Sequence, residues 1–559
     1  MAGDHTVKEA STPSSRIGSI GDSAPFSGFQ VLDTTLRDGA QRDGISFTIS
    51  DKLAIARLLD DFGVGFIEGG WPGSNPRDTA FFQRVKKQGF FRRAQLVAFG
   101  STRRPSRTAR RDPQVAALLR SEAPVVTLVA KAHDWHVTHA LGTSLQENLD
   151  MITETVAYLR DEGRRVFVDC EHFFDGHYEN PNYATAVVHA ASKAGAEVVV
   201  LCDTNGGTLP SRVLGAVRQV LTRTTVRIGI HAQDDSGCAV ANTLAAVDAG
   251  ATHVQCTANG YGERVGNADL FSVVSALELK YDLRVLPEAS LAQSTDISRR
   301  IADIAGIPPD PHQPYVGTSA FAHKAGLHAS ALAVDPQMYQ HVLPSQVGND
   351  MRIVVSELAG RSTIELKCAQ MGYDLHHHPG VAERLAAVVK EQEKLGQSYQ
   401  DADASFELLL RDTLIPPLGR PFYLEQSHTT EQSATRGEAT VITSTVTVRT
   451  DSGHVLTGTG TADHMIEAVH QGLSNALAQQ YGKAIEQIAI ERLGVRFLAT
   501  YPSSSSSSVR VHIRAGDGTN SWNCVAVGAT MTEAACQALI EAYCFALTRS
   551  DREALRKRM

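Results

Sequence analysis

The sequence has no run of about 18 apolar residues, the length a helix needs to cross a bilayer, so no membrane-spanning segment is expected. It has no Cys-x-x-Cys pair. Its eight cysteines are scattered, mostly in apolar segments such as Val198 to Cys202, and read as buried thiols rather than a disulfide scaffold. It has no surplus of positive charge. A net charge of −8 argues against a nucleic-acid binder held by phosphate neutralisation. The first 27 residues are polar and Ser-rich and lack the apolar stretch of a secretory signal. These absences describe a reduced, cytoplasmic, multidomain soluble protein, and the rest of the chain reads as an enzyme.

What is present is length and rhythm. The chain has 559 residues, of which 42% are hydrophobic, enough for several cores and roughly three or four domains at about 150 residues each. After a disordered arm over 1–27, short apolar runs alternate with amphipathic helical patterns eight times within 28–284. The runs begin at Phe29, Phe66, Gln95, Val125, Val166, Val198, Arg227 and His253. Val- and Ile-rich strands flanked by helices imply a parallel sheet covered on its faces. Eight units at even spacing fit a closed (β/α)8 barrel, with an open sheet of six to eight strands as the alternative. Polar residues follow every strand, among them Asp33–Gly39, Glu68–Trp71, Lys131–His136, Asp203–Asn205 and His231–Asp235. That is where barrel loops converge on one mouth.

Residues 285–404 turn helical and irregular, with Pro308, Pro309, Pro311 and Pro314 marking a linker. Over 405–550 strands return (Ala439–Arg449, Val455–Gly460), followed by a helix over Met465–Gln479. A second round covers Ile485–Phe497, Val509–Arg514, Trp522–Val527 and a helix over Met531–Leu547. Two β–β–α-like halves suggest an internally duplicated α+β domain of regulatory type. Ser503–Ser508 reads as a flexible loop, and 551–559 as a frayed charged tail.

Three motifs carry chemistry. The first, Asp33-Thr34-Thr35-Leu36-Arg37-Asp38-Gly39, closes the first strand; an arginine there can polarise a carbonyl while a carboxylate holds a metal, or the two can be a solvated ion pair. The second is His231-Ala232-Gln233-Asp234-Asp235-Ser236-Gly237 after strand seven. Residues i and i+2 face one side, so His231 and Gln233 point together into the mouth. The third is Asn259-Gly260-Tyr261-Gly262-Glu263-Arg264-Val265-Gly266-Asn267 after strand eight. Its glycines let backbone approach a ligand, and its amides suit phosphate or carboxylate groups, or the motif is simply a tight turn.

With these motifs on the page, the sequence resembles the metal-dependent acyl-transferases that condense acetyl-CoA with an α-keto acid: the 2-isopropylmalate, homocitrate and citramalate synthase family. Ile67-Glu68-Gly69-Gly70-Trp71-Pro72-Gly73-Ser74-Asn75-Pro76, Glu171-His172-Phe173-Phe174-Asp175-Gly176 and Ala320-Phe321-Ala322-His323-Lys324-Ala325-Gly326-Leu327-His328 resemble its citramalate branch. The resemblance covers roughly 28–550. It implies that Asp38 is a metal-binding aspartate and that Arg37 stabilises the keto-acid oxygen. It makes His231 the first of the family's two metal histidines and Asn267 an asparagine close to the metal. Glu171 and Thr204 would line the site, Thr204 holding the keto-acid carboxylate. Gly260, Gly262 and Glu263 would lie in the motif near acetyl-CoA. His328 would help deprotonate the acetyl methyl, with Tyr339 as its companion, both reaching the partner subunit's barrel in a homodimer. The implied cofactor is a divalent metal ion (Mn2+, Mg2+ or Zn2+), with acetyl-CoA as co-substrate.

One position departs from the family: Gln233 stands where the second metal histidine is expected. An amide oxygen is a weaker, harder ligand, so Asp38, His231 and Gln233 would favour Mg2+ or Mn2+ over Zn2+. The alternatives are that Asp234 or Asp235 compensates, or that the metal is lost and the chain is a non-catalytic amino-acid-binding protein. With pyruvate as acceptor the implied product is citramalate, feeding isoleucine synthesis through 2-oxobutanoate; 2-isopropylmalate synthesis with a larger keto acid is the nearest alternative. The C-terminal domain would sense a branched-chain amino acid, with Gly458-Thr459-Gly460-Thr461-Ala462-Asp463 where the family has a glycine-rich turn, or would serve dimerisation alone.

Overall fold

In the computed structural model, the described residues are 28–86, 90–332, 334–414, 420–432, 441–498 and 508–549. The expected N-terminal arm, the C-terminal tail and the serine tract up to residue 507 lie outside them. The chain divides into two compact units, 28–320 with 342–350, and 321–341 with 351–549.

The first unit is a closed barrel of eight parallel strands: β1 Gln30–Asp33, β2 Phe66–Gly70, β3 Gln95–Ser101, β4 Val125–Lys131, β5 Arg165–Glu171, β6 Val198–Asp203, β7 Arg227–Ala232 and β8 His253–Cys256. β8 pairs with β1 to close the cylinder. Their continuous apolar character reflects burial on both faces. Leu32, Phe66, Val97, Val125, Phe167, Val198, Val200 and Cys202 form one cluster contributed by six of the strands. Each strand is followed by a helix whose start is set by its sequence. Thr48 and Asp51 form a capping box ahead of Ile49–Phe62, Asp112 caps Pro113–Ser121, and Asp269 caps Leu270–Leu279. The first of these helices stops at Gly63 (φ 96°), where a Cβ would lie 2.3 Å from Pro287. Two further helices, Asp134–His139 and Phe173–Glu179, sit in the loops after β4 and β5, where the sequence suggests only polar connections. At six or seven residues each they are too short to show a helical period.

In the second unit, β9 (Ala322–His323) and β10 (Arg352–Ile353) form a short parallel pair. Helices Arg361–Gln370, Val381–Lys394 and Asp403–Leu414 pack around Ile364, Tyr373, Leu385, Phe406 and Leu410. Two three-stranded antiparallel sheets follow. One is β11 (Phe422–Gln432), β12 (Val441–Thr450) and β13 (Val455–Ala462), with helix Met465–Tyr481. The other is β14 (Ala489–Leu498), β15 (Ser508–Gly516) and β16 (Ser521–Gly528), with helix Met531–Thr548. The duplicated unit is therefore βββα rather than ββα. β11 escapes sequence reading because polar and mostly exposed residues fill it, so no buried stripe alternates along it. The Gly458–Asp463 segment is not a turn. All of it but Asp463 runs along β13, where a Cβ on Gly458 or Gly460 would lie 2.3 Å from the backbone of helix Met465–Tyr481. These glycines let helix and strand touch.

Candidate active site

Seven of the expected residues line one cavity of about 440 Å³ at the strand C-termini of the barrel: Arg37, Asp38, Glu171, Thr204, His231, Gln233 and Glu263. The turn after β1 places Arg37 and Asp38, with the amides of Arg37, Asp38 and Gly39 all donating to the Thr34 carbonyl. Beneath it Asp33 accepts from the Thr35 amide at 2.9 Å and its hydroxyl at 2.8 Å, while Thr35 Oγ1 accepts from the Ala258 amide at 2.7 Å. The first and last strand ends are thereby tied together.

Asp38 is the hub. Its Oδ2 lies 3.2 Å from His231 Nε2 and 3.7 Å from an Arg37 terminal nitrogen, and accepts from Asn267 Nδ2 at 2.8 Å. Burial pushes this carboxyl up, but Arg37, His231 and Asn267 outweigh it and hold it well below the ordinary carboxylate range. Arg37 is fixed from two sides: its Nε donates to Glu68 Oε2 at 2.6 Å, and its guanidinium lies 3.9 Å from the centre of the Phe99 ring. Burial dominates at Glu68 and raises it despite Arg37, and burial reinforced by Glu68 pushes Asp169 up to about 7. Burial lowers His231, but the Asp38 carboxylate more than reverses this, and the imidazole titrates above its ordinary value.

Asn267 reaches Asp38 because the loop after β8 folds back over the end of β7. Gln233 and Asn267 form an antiparallel bridge, and the Ala268 amide donates to the Ala232 carbonyl at 3.0 Å. Gly262 must lack a side chain, because its Cβ would sit 2.3 Å from Asn267 Oδ1. Gly260 turns the chain at φ 65°, and its amide donates within its own turn to the Thr257 carbonyl. The third motif thus supplies Glu263 to the cavity, while Gly260 acts through the turn. The proposed substitutes for the missing histidine are engaged elsewhere. Asp235 pairs with Arg264 at 2.6 Å, and Asp234 caps helix Ala239–Ala249 through the Ala239 amide at 2.8 Å.

Among the described residues no three His, Cys, Asp or Glu side chains converge as a metal site. The donor set here is different in kind: one ionised carboxylate, one imidazole nitrogen and amide oxygens. Gln233 Oε1 and Asn267 Oδ1 are both buried without a hydrogen-bond partner. Each such orphan costs about 1–3 kcal/mol, a cost that a hard cation accepting oxygen ligands would remove. The residues present therefore fit a divalent ion.

Around this centre, Lys131 and Glu171 pair across the neighbouring ends of β4 and β5. Thr204 Oγ1 accepts from the His172 amide at 2.8 Å, which leaves its hydroxyl proton available to a carboxylate. Trp71, Phe99, Val129, Leu141 and Met151 supply the apolar wall. Glu68, Asp169 and Gln255 stand outside the sequence expectations for the site. A polar residue inside an apolar strand, as in Val166-Phe167-Val168-Asp169-Cys170, is the signal that could have found the latter two. His328 and Tyr339 lie in the second unit, their rings stacked with centroids 4.2 Å apart.

Residues 28–301 match the family model described as HMGL-like, and residues 315–397 the one described as homocitrate synthase post-HMGL domain-like. The chain is 54% identical to the (R)-citramalate synthase of Streptomyces coelicolor, over 93% of this chain and 97% of that protein. It is 42% identical to the (R)-citramalate synthase of Aquifex aeolicus (94% and 99% covered) and 42% identical to that of Synechocystis (91% and 94% covered). Barrel, mouth and near full-length likeness agree, and the chain belongs to the citramalate synthase branch of the HMGL-like family.

Proposed function

We propose that the chain condenses acetyl-CoA with pyruvate and water to give (R)-citramalate and free CoA. The observation that carries this reading is the meeting of Asp38, His231 and Arg37 at the mouth of a barrel of this family. Asp38 and His231, with the amide oxygen of Gln233 and, once its amide turns from the orientation that donates to Asp38, that of Asn267, would hold a divalent ion, Mg2+ or Mn2+ in preference to Zn2+. Such an ion supplies Lewis acidity at the keto oxygen.

The chain's own residues do the rest. Thr204 would donate its hydroxyl proton to the acceptor's carboxylate, a reading supported by its Oγ1 accepting from the His172 amide. Arg37, clamped between Glu68 and Phe99, brings fixed positive charge to the oxygen that becomes an alkoxide. A base removes a proton from the acetyl methyl, and the freed electron pair forms the carbon–carbon bond to the keto carbon while the carbonyl pair moves onto oxygen and takes a proton. His328, stacked on Tyr339, is the base in this reading, delivered from the partner subunit of a homodimer. Water then hydrolyses the thioester and CoA leaves as the thiol.

The purified protein with Mn2+, acetyl-CoA and pyruvate is expected to release free CoA, and no release with any small keto acid would remove the claim. Acceptor choice follows from the apolar wall, where each extra methylene changes discrimination by about 1–3 kcal/mol. A higher kcat/KM for pyruvate than for 2-oxoisovalerate is expected across a keto-acid panel. The two βββα halves would bind a branched-chain amino acid, isoleucine first, as feedback control on isoleucine synthesis. Unchanged activity across millimolar isoleucine, leucine and valine would leave dimerisation as their role. No described helix is long and apolar enough to cross a membrane, and the eight cysteines are free, which suits a reduced cytoplasmic setting.

A further inference from the structure

Behind His231, on the side away from Asp38, lies a second pair of buried groups. His231 Nδ1 is 2.9 Å from Gln255 Oε1, and Gln255 Nε2 donates to Asp169 Oδ1 at 2.8 Å. All three side chains are buried, and Gln255, which joins the other two, is only 1% exposed, although Asp169 and His231 also line the cavity. We propose that Gln255, oriented by Asp169, is a positioning residue that fixes the tautomer and ring orientation of His231, so that the Nε2 lone pair points at the cation site beside Asp38. The inference rests on the reading of Asp38 and His231 as ligands.

The argument is one of donors and acceptors. An amide has one donating and one accepting end, and a free choice would let Gln255 turn either toward the imidazole. Asp169 removes that choice: its oxygen accepts, so the amide nitrogen must face it and the amide oxygen must face His231. The His231 nitrogen facing that oxygen must then carry the proton. A neutral imidazole has one N–H, so the other nitrogen, 3.2 Å from Asp38 Oδ2, presents a lone pair. A lone pair and a carboxylate facing each other at that distance need a positive centre between them, either a proton on the imidazolium or, once that proton is given up, a cation held by both. Behind an imidazole ligand such a partner also blocks ring rotation. The three residues come from β5, β7 and β8 and span the barrel interior, so the device is held by rigid strands rather than by loops.

The test measures Mn2+ binding to the intact protein without substrates, by the paramagnetic resonance signal of the free ion. Gln255→Leu is expected to weaken binding about 10- to 100-fold, Asp169→Leu similarly, whereas Asp169→Asn, which keeps an accepting oxygen, should stay within a few-fold of the unaltered protein. A merely structural role would not produce rescue by Asp169→Asn. Should the leucine variants fail to fold, nitrogen resonances of histidine-labelled unaltered protein loaded with diamagnetic Mg2+ report the His231 tautomer directly, and a proton on Nδ1 is expected. Mn2+ binding by folded Gln255→Leu as tight as in the unaltered protein, or a proton on Nε2, overturns the positioning role and leaves the ligand reading standing. No Mn2+ binding by the unaltered protein overturns both.

Discussion

Replacing Arg37 by methionine tests whether the arginine is both a catalytic charge and the counter-ion of a buried carboxylate. In the structure Arg37 Nε and Glu68 Oε2 are 2.6 Å apart, and the Glu68 side chain has no solvent exposure. Removing the guanidinium leaves that carboxylate without its partner, a change that costs about 3–5 kcal/mol of stability. Glu68 can escape part of the cost by taking a proton, since burial already raises it above its ordinary value. An acid raised in the folded state loses stability as pH increases, so the Arg37→Met deficit should be smaller at pH 5 than at pH 8. Replacing both residues by methionine removes the buried pair altogether and should restore stability to within about 1 kcal/mol of the unaltered protein, or exceed it. Activity should behave differently. CoA release should fall about 10²- to 10³-fold in kcat/KM in every variant lacking Arg37, including the double variant, because the charge facing the developing alkoxide is gone. Urea unfolding followed by fluorescence (Trp71 lies 5.2 Å from the Phe99 ring on which Arg37 stacks) separates stability from catalysis. An Arg37→Met protein as stable as the parent at pH 8, or a double variant as damaged as the two single changes summed, would refute the reasoning.

Three other outcomes follow from described contacts. Gly262→Ala forces a Cβ to within 2.3 Å of Asn267 Oδ1, so it should cost about 1–3 kcal/mol of strain or displace Asn267 from Asp38, read as weaker Mn2+ binding and slower CoA release. Gln233→Leu should weaken Mn2+ binding while Gln233→His should shift preference toward Zn2+; activity found only in the histidine variant would mean that the natural site is inactive. In the second unit Glu541, beside Ser405 and Arg420, is pushed up to about 7 by burial, so its contribution to stability is full below about pH 4.5 and lost as pH rises to about 7. Glu541→Gln should flatten that part of the curve of unfolding free energy against pH, by about 3 kcal/mol across the interval, and an unchanged curve would show that Glu541 does not titrate there.

The barrel was legible in the sequence because its strands are buried on both faces and separated by helices with explicit caps. Runs such as Val198–Leu201 and Val125–Val129 admit little else. The first-motif residues and His231 were legible for a related reason: strand C-termini define the mouth, so polarity there has one place to go. What the sequence hid depends on long-range pairing. Asp169 and Gln255 are polar residues inside buried strands, and their partnership exists only once the closed cylinder sets β5 across its interior from β7 and β8. The alternative roles of Asp234 and Asp235 could be settled only when their bonds to Ala239 and Arg264 were visible. In the second unit β11 was missed because polar, exposed residues fill it, whereas β13 was legible over Val455–Gly460 and only the role of its glycines waited for the helix above them to be seen.

The bond between Asn267 and Asp38 joins residues that lie at opposite ends of the barrel's chain. It works as a clasp on the seam where the cylinder shuts, and half of the clasp is also half of the site. Anything that binds across that seam therefore stabilises the shut form by an amount set by its concentration relative to its dissociation constant, about 2.7 kcal/mol at a hundredfold excess. Loading the site and sealing the cylinder are a single thermodynamic act, and the fully assembled pocket can arise only after the eighth strand has found the first.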